Sequence, residues 1–118
     1  MEYMLLIHVD PAGLAALREA ERGAALAAYG AYTEALTQAG VMRAGNRLRP
    51  ADTATTVKMR DGRTEVLNGP FIETREQLGG YYLIDVPDLD AALSWAARCP
   101  AASHGAVEVR PVWPMDAP

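Results

Sequence analysis

Two short stretches of consecutive apolar residues constrain the fold of this chain more than any other feature. One is the run within Tyr3–Val9, and the other is the run within Gly80–Val86. Successive side chains of a β-strand point to opposite faces of the sheet, so a strand with such a sequence is apolar on both faces. The sequence therefore predicts a sheet whose central strands need cover on both sides.

A long helical region is predicted between residues 14 and 39, which are rich in Ala, Leu, Glu and Arg. These residues are good helix formers. Asp10 and Pro11 suit the cap and the first position of a helix, and Gly40 is the expected terminator. Gly23 is expected to divide the region into a short helix and a longer one.

A second helix is predicted to begin after Asp88, which can act as its N-cap, and to stop at Cys99-Pro100. Its buried stripe is expected to contain four residues, Leu89, Ala92, Leu93 and Ala96. Trp95 and Cys99 are expected on the flank of this stripe, against the inserted hairpin or a partner chain.

The remaining segments predict four further strands, over residues 41–48, 53–60, 63–67 and 107–112. Asp61-Gly62 is a strong signal for a hairpin that joins the middle pair. The resulting order matches a ferredoxin-like βαββαβ sheet with an inserted β-hairpin and two helices on one face. We therefore predict a single α+β domain over residues 1–118.

The apolar second face of the predicted sheet has implications for assembly. Two helices can cover only one face of a four-stranded sheet, whereas the central strands are apolar on both. A second copy of the chain is the simplest cover, because closed symmetric dimers are the commonest oligomers. We expect a homodimer.

Charge and composition argue against several other partners. The net charge is −4, and the basic residues, ten Arg and one Lys, are scattered along the sequence. This pattern is not the basic patch of a nucleic-acid-binding protein, and anionic lipid would repel an acidic surface. No apolar stretch is long enough to cross a bilayer, so we expect a cytoplasmic protein without membrane contact. One cysteine and two histidines give no metal-binding pattern, and we predict no metal or cofactor.

Three polar residues on predicted strands are candidates for chemistry. His8 shares a strand face with Met4 and Leu6, and it is either a packed interface histidine or a general base beside a cavity. Glu108 and Arg110 alternate with valines and therefore leave the helix-packed face together. They form either a solvated edge pair or the rim of an inter-subunit cavity, where Arg110 would bind a carboxylate.

Several blocks of the sequence resemble one family. Residues Asn68–Tyr82 contain Asn-Gly-Pro-Phe, and similar blocks follow at Ala91–Pro100 and Val107–Val112. With Tyr3–Ile7, the chain resembles the YCII-related family of the type named for its Asp-Gly-Pro-Phe (DGPF) motif over nearly its whole length. The resemblance implies a dimeric α+β barrel. Asn68 replaces the motif's Asp, which removes the charge but keeps a hydrogen-bond acceptor.

The segment after Asn68 has two interpretations. As a rigid connector, it would use Phe71 to plug the core, and Thr74 and Gln77 would form the capping box of one helical turn. As a functional loop, it would roof a pocket at the dimer centre. The pocket would then use three polar residues, Asn68, Glu73 and Arg75.

The resemblance also bears on function. Some relatives carry a His–Asp acid–base pair. This chain has Tyr29 and Cys99 at the matching positions, so it does not reproduce that pair. Tyr29 is still a candidate ligand contact. Relatives encoded beside extracytoplasmic-function sigma factors imply an accessory role in transcriptional regulation without DNA contact. We expect a dimer that binds a small ligand between subunits. The alternatives are a cofactor-free acid–base enzyme acting on a small cyclic or aromatic acid, with His8 as base, and a purely structural partner module.

Overall fold

The computed structural model describes all residues, Met1–Pro118, and contains six strands, three α-helices and two short 3₁₀ turns. In chain order the strands and helices are β1 (Glu2–Val9), α1 (Pro11–Ala15), α2 (Glu19–Gln38), β2 (Met42–Arg47), β3 (Thr55–Arg60), β4 (Arg63–Asn68), β5 (Gln77–Asp85), α3 (Leu89–Arg98) and β6 (Ala106–Pro111). The 3₁₀ turns are Ala51–Thr53 and Pro100–Ser103.

Four strands form the main sheet in the order β2-β5-β1-β6, and every neighbouring pair is antiparallel. The hairpin β3-β4 forms a separate two-stranded sheet. This topology confirms the predicted ferredoxin-like α+β fold with an inserted hairpin. The two doubly apolar strands, β1 and β5, are central, and β6 lies at an edge, where Pro111 is tolerated.

The hydrophobic core lies between one face of this sheet and the helices α2 and α3. Alternate residues of β1, among them Leu5 and Ile7, are buried against Leu36 of α2 and Ala96 of α3. The predicted caps are confirmed, because Asp10 accepts a hydrogen bond from the backbone of Ala12 and Asp88 accepts one from Ala91, both at 2.9 Å. No helix of the chain has the length and apolar character needed to span a membrane.

The predicted break at Gly23 is wrong. Gly23 lies inside α2, and the helices separate at residues 16–18 instead. There the Glu21 carboxylate accepts a hydrogen bond from the backbone of Arg18 at 3.0 Å, which satisfies a free donor at the start of α2. A single Gly costs a helix about 1 kcal/mol, which is too little to interrupt a 20-residue helix that is otherwise favourable.

The predicted stripe of α3 is only half right. Ala92 and Ala96 are buried, but Leu89 and Leu93 are each 47% exposed. The buried face of α3 instead extends to Cys99, and Trp95 also packs against the core. Trp95 and Cys99 were expected on the flank of the stripe, against the inserted hairpin or a partner chain, but both take part in the packing of the core. Both sets of residues satisfy helical spacing, so the sequence pattern alone could not choose between them.

The loop between β4 and β5 also differs from the prediction. Gly69 has a φ of 106°, as expected, but no helical turn follows. The side-chain amide of Gln77 instead donates to the backbone carbonyls of Thr74, at 2.8 Å, and Ile72, at 3.2 Å. Phe71 is exposed rather than buried in the core, and its ring lies 5.4 Å from the ammonium of Lys58.

Candidate functional site

Burial alternates strictly along β1, and this alternation defines two faces of the sheet. Tyr3, Leu5, Ile7 and Val9 are buried beneath the helices, whereas the residues between them are partly exposed. The side chains on the sheet face opposite α2 and α3 are here called the open face. They are Glu2, Met4, Leu6, His8, Ala44, Asn46, Leu78, Tyr81, Leu83, Asp85, Ala106, Glu108 and Arg110, as the strand register shows.

The centre of the open face is apolar. Met4 lies opposite Leu83 of β5, and Leu6 lies opposite Tyr81. Residues directly opposite each other in antiparallel strands project to the same side, so these side chains form one continuous patch. The prediction that both faces of the central strands are apolar is confirmed.

Three polar side chains border this patch on the β6 side. The Nε2 atom of His8 lies 3.2 Å from Oε1 of Glu108, and Arg110 donates a hydrogen bond to the other carboxylate oxygen of Glu108. Glu108 lies opposite Leu6, one diagonal step from His8. The structure therefore brings together three of the predicted site residues, with the carboxylate between the two nitrogen-bearing side chains.

The electrostatics of this group follow from its contacts. The hydrogen bond from Arg110, and next the contact with His8, hold the pKa of Glu108 below its ordinary value of 4.5. Glu108 is therefore a carboxylate at neutral pH and accepts from Nε2 of His8. In the neutral imidazole this arrangement leaves Nδ1 unprotonated, as an acceptor or base. The His8 side chain is 31% exposed, so it is accessible from the open face.

A second polar contact lies on the β2 side of the open face. The side-chain amide of Asn46 donates to the hydroxyl of Tyr81 at 2.9 Å. Neither residue was among the predicted site residues. The alternation of Ala44 and Asn46 along β2 was the available signal, but assigning it to a face required the register with β5.

The loop before β5 lines a cleft of about 420 Å³ that is separate from the patch. Asn68 and Glu73, both predicted site residues, lie in it. The complete lining is Asp52, Asn68, Gly69, Pro70, Glu73, Thr74 and Gln77. Its polar lining suits water or a small hydrophilic molecule rather than an apolar ligand.

Arg75, the third residue predicted in this loop, lines a neighbouring cleft of about 480 Å³ together with Thr74, Glu76, Asp10 and His104. Its Nε atom lies 3.4 Å from a carboxylate oxygen of Asp10. The pKa of Asp10 is lowered, chiefly because its carboxylate accepts a hydrogen bond from the backbone of Ala12. Partial desolvation acts in the opposite direction, and Arg75 lowers the pKa further. Asp10 was predicted only as a helix cap, and His104 was not among the predicted site residues.

The predicted site residues therefore occupy different places. His8 lies at the same end of the sheet as the clefts, because its neighbours across the strands are Leu78 and Ala106. Tyr29, by contrast, packs against the core on the helix-covered face. Burial, and next the proximity of Cys99, raises the pKa of Tyr29 to about 12. Its phenol is protonated at neutral pH and does not share a site with His8.

Comparisons with known proteins agree with the fold. The family model of the YCII-related domain matches residues 1–116. An uncharacterised protein of Rhizobium meliloti (strain 1021), R00369, is 37% identical over 114 residues. The alignment covers 95% of this chain and 92% of that protein.

Proposed function

The chain belongs to the YCII-related domain family, and from this premise we propose that it is a homodimer that binds a small ligand between its subunits. The observation that carries the proposal is the apolar open face, over which no helix of the chain lies. A second open face is a matching cover, because the same patch serves both subunits of a two-fold dimer.

The amount of exposed surface supports this assembly. The chain exposes 8267 Å², whereas a monomeric protein of 12.7 kDa exposes about 6200 Å². The excess is about 2000 Å² per chain, more than the roughly 800 Å² that each partner buries in an interface of standard size. Only 14 of 118 residues are buried in the single chain. A single subunit is thus poorly enclosed, as expected of half of an obligate dimer.

The polar group on the open face supplies the proposed ligand contacts. Two packed sheets lie about 10 Å apart, so the His8, Glu108 and Arg110 side chains of each subunit would border the shared interface. Arg110 is 67% exposed and has further donors beyond the one that Glu108 accepts. An aromatic or cyclic acid would place its ring on the apolar centre and its carboxylate at Arg110.

One observation favours the alternative function, an acid–base enzyme without a cofactor. Glu108 orients the His8 ring from 3.2 Å and leaves Nδ1 facing away from the carboxylate. An imidazole held in this way can remove a proton from a carbon next to a carbonyl and return it at another carbon, which is an isomerisation. Arg110 or Arg75 would hold the carboxylate of the substrate.

A regulatory role linked to sigma factors would depend on protein contact or ligand sensing. The net charge of −4 does not favour binding to DNA. We propose this role as a consequence of ligand binding to the dimer, since a ligand that lies between subunits changes their association.

Thermal shift measurements with small aromatic acids test the ligand proposal. We expect at least one acid to raise the melting temperature of the unmodified protein and to shift the NMR signals of His8. A His8→Asn variant should lose most of this stabilisation, whereas the matched His104→Asn variant should keep it. The proposal fails if no acid stabilises the protein, or if both variants respond like the unmodified chain.

Deuterium incorporation separates the two functions. If the protein is an enzyme, the bound acid exchanges a carbon-bound proton with D₂O, and the His8→Asn variant does not catalyse this exchange. If the protein only binds its ligand, the acid stabilises the dimer and its carbon-bound protons remain in place. Mass spectrometry of the recovered acid distinguishes these outcomes.

A further inference from the structure

The hairpin β3-β4 is a well-defined structure that lies outside the core. Its strands pair from Thr55 with Asn68 to Arg60 with Arg63. Asp61 and Gly62 both have positive φ, 51° and 75°, as the tight two-residue turn of this hairpin type requires. At the base, the backbone N–H of Gly69 donates to the carbonyl of Ala54 at 2.7 Å.

One face of the hairpin is apolar and uncovered. Val57 and Val66 lie opposite each other, and Met59 follows on the same face. These side chains are 61%, 62% and 67% exposed respectively, and none of the 13 core residues belongs to the hairpin. An isolated two-stranded hairpin is marginally stable in water, and large apolar side chains on a sheet face normally pack against something. This face therefore lacks its cover in the single chain.

The opposite face of the hairpin is charged toward the turn, whereas Thr56 and Leu67 lie at its base. Lys58 pairs with Glu65, and Arg60 lies opposite Arg63. With Asp61 at the turn, three basic and two acidic side chains give the hairpin a charge of +1. Because the whole chain carries −4, the remainder carries −5. The hairpin of one copy is thus complementary in charge to the body of another.

We propose that the hairpin is an arm whose apolar face, formed by Val57, Met59 and Val66, packs on the body of a second copy of the chain. The inference rests on the proposed homodimer and adds a second, reciprocal contact to it. An open-face interface of standard size would use about 800 Å² of the roughly 2000 Å² of excess surface on each chain. The arm accounts for part of the remainder, and each subunit would both extend an arm and receive one.

Sedimentation equilibrium on paired variants of the full chain tests the arm. The apolar-face variant, Val57→Thr with Val66→Thr, keeps the shape and strand preference of Val but places hydroxyls in the proposed contact. The control, Lys58→Thr with Glu65→Thr, places the same residue in the neighbouring cross-strand pair on the other face and leaves the net charge unchanged. We expect the dissociation constant of the dimer to rise by more than about tenfold in the first variant and by less than about twofold in the control.

Cross-linking gives a second readout that does not depend on the stability of the hairpin. Residue 59 is exposed in the single chain, so in a Met59→Cys variant the new thiol can be labelled before the subunits associate, whereas Cys99 is buried and should remain unlabelled. A photoreactive maleimide attached at residue 59 should give a product of twice the chain mass, joined to the partner outside residues 55–68.

The outcomes separate this inference from the proposal on which it rests. If the unmodified protein is a monomer, both are overturned. If it is a dimer, but the apolar-face variant dissociates like the control and no cross-link forms to the partner's body, only the arm is overturned. Selective weakening of the dimer together with the cross-link supports the arm.

Discussion

Glu108 is the residue that joins the polar side chains of the open face into one group. It contacts His8 through one carboxylate oxygen and Arg110 through the other. The alternation of the sequence predicted that Glu108 and Arg110 share one face of β6. It also predicted that His8 shares one face of β1 with Met4 and Leu6. It did not predict that Glu108 reaches His8, because that contact depends on the register between β1 and β6, which pairs residues 100 positions apart.

The acid stability of the protein tests this contact. The pKa of Glu108 is lower in the folded chain than its ordinary value of 4.5, because Arg110 and His8 favour the carboxylate. Its contribution to stability is therefore complete above pH 4.5 and is lost as the pH falls through the folded-state pKa. The free energy of unfolding should decrease over this range by more in the unmodified protein than in a Glu108→Gln variant. Urea unfolding between neutral pH and pH 3 measures the difference.

An Arg110→Gln variant gives a complementary result. It removes the main cause of the lowered pKa of Glu108, so the loss of stability should begin and end nearer pH 4.5. Identical pH profiles for all three proteins would show that the interaction between these side chains does not persist in solution.

At the scale of helices and strands, the sequence predicted most of the elements, but it did not predict the buried face of α3 or the structure of the loop before β5. Asp10, Gly40 and Asp88 marked helix ends because capping is a local property. The buried side of α3 was ambiguous, because two stripes with helical spacing share Ala92 and Ala96. The loop after Asn68 was misassigned because a Thr–Gln spacing of three fits a capping box, whereas Gln77 actually starts β5.

Two glycines of the α2 region give a matched test of its boundaries. Gly23 lies within the helix, and a methyl group there would meet no atom within 4 Å. A Gly23→Ala variant should therefore be more stable by about 0.5–1 kcal/mol. Gly40 also has open space but has a φ of +72°, so Gly40→Ala should be less stable by about 1–2 kcal/mol. Chemical denaturation at equal protein concentration measures both effects.

The comparison distinguishes the observed helix from the one that the sequence suggested. If Gly23 were a break between two helices, alanine would give no stabilisation there. A destabilised Gly23→Ala variant would contradict the continuous helix from Glu19 to Gln38.

At the scale of the whole molecule, the sheet has one layer of helices and an open side. The shortest dimension is 18 Å, and the radius of gyration is 16.3 Å, whereas a compact domain of 118 residues has a radius of gyration of about 13.5 Å. The order of elements and the double apolar pattern were enough to predict this architecture. The positions of the clefts were not predictable, because they depend on loop geometry and on contacts such as that between Asp10 and Arg75.

The central claim is that a second copy of the chain covers the open face. The mass of the protein in solution tests this claim most directly. Sedimentation equilibrium over a dilution series should give a species of twice the 12.7 kDa chain mass. A Leu6→Glu variant, which places a charge at the centre of the open face, should dissociate. The control is Leu26→Glu, at an exposed position on α2, and it should remain dimeric. A single species of 12.7 kDa for the unmodified chain, or an equally dimeric Leu6→Glu variant, would contradict the account.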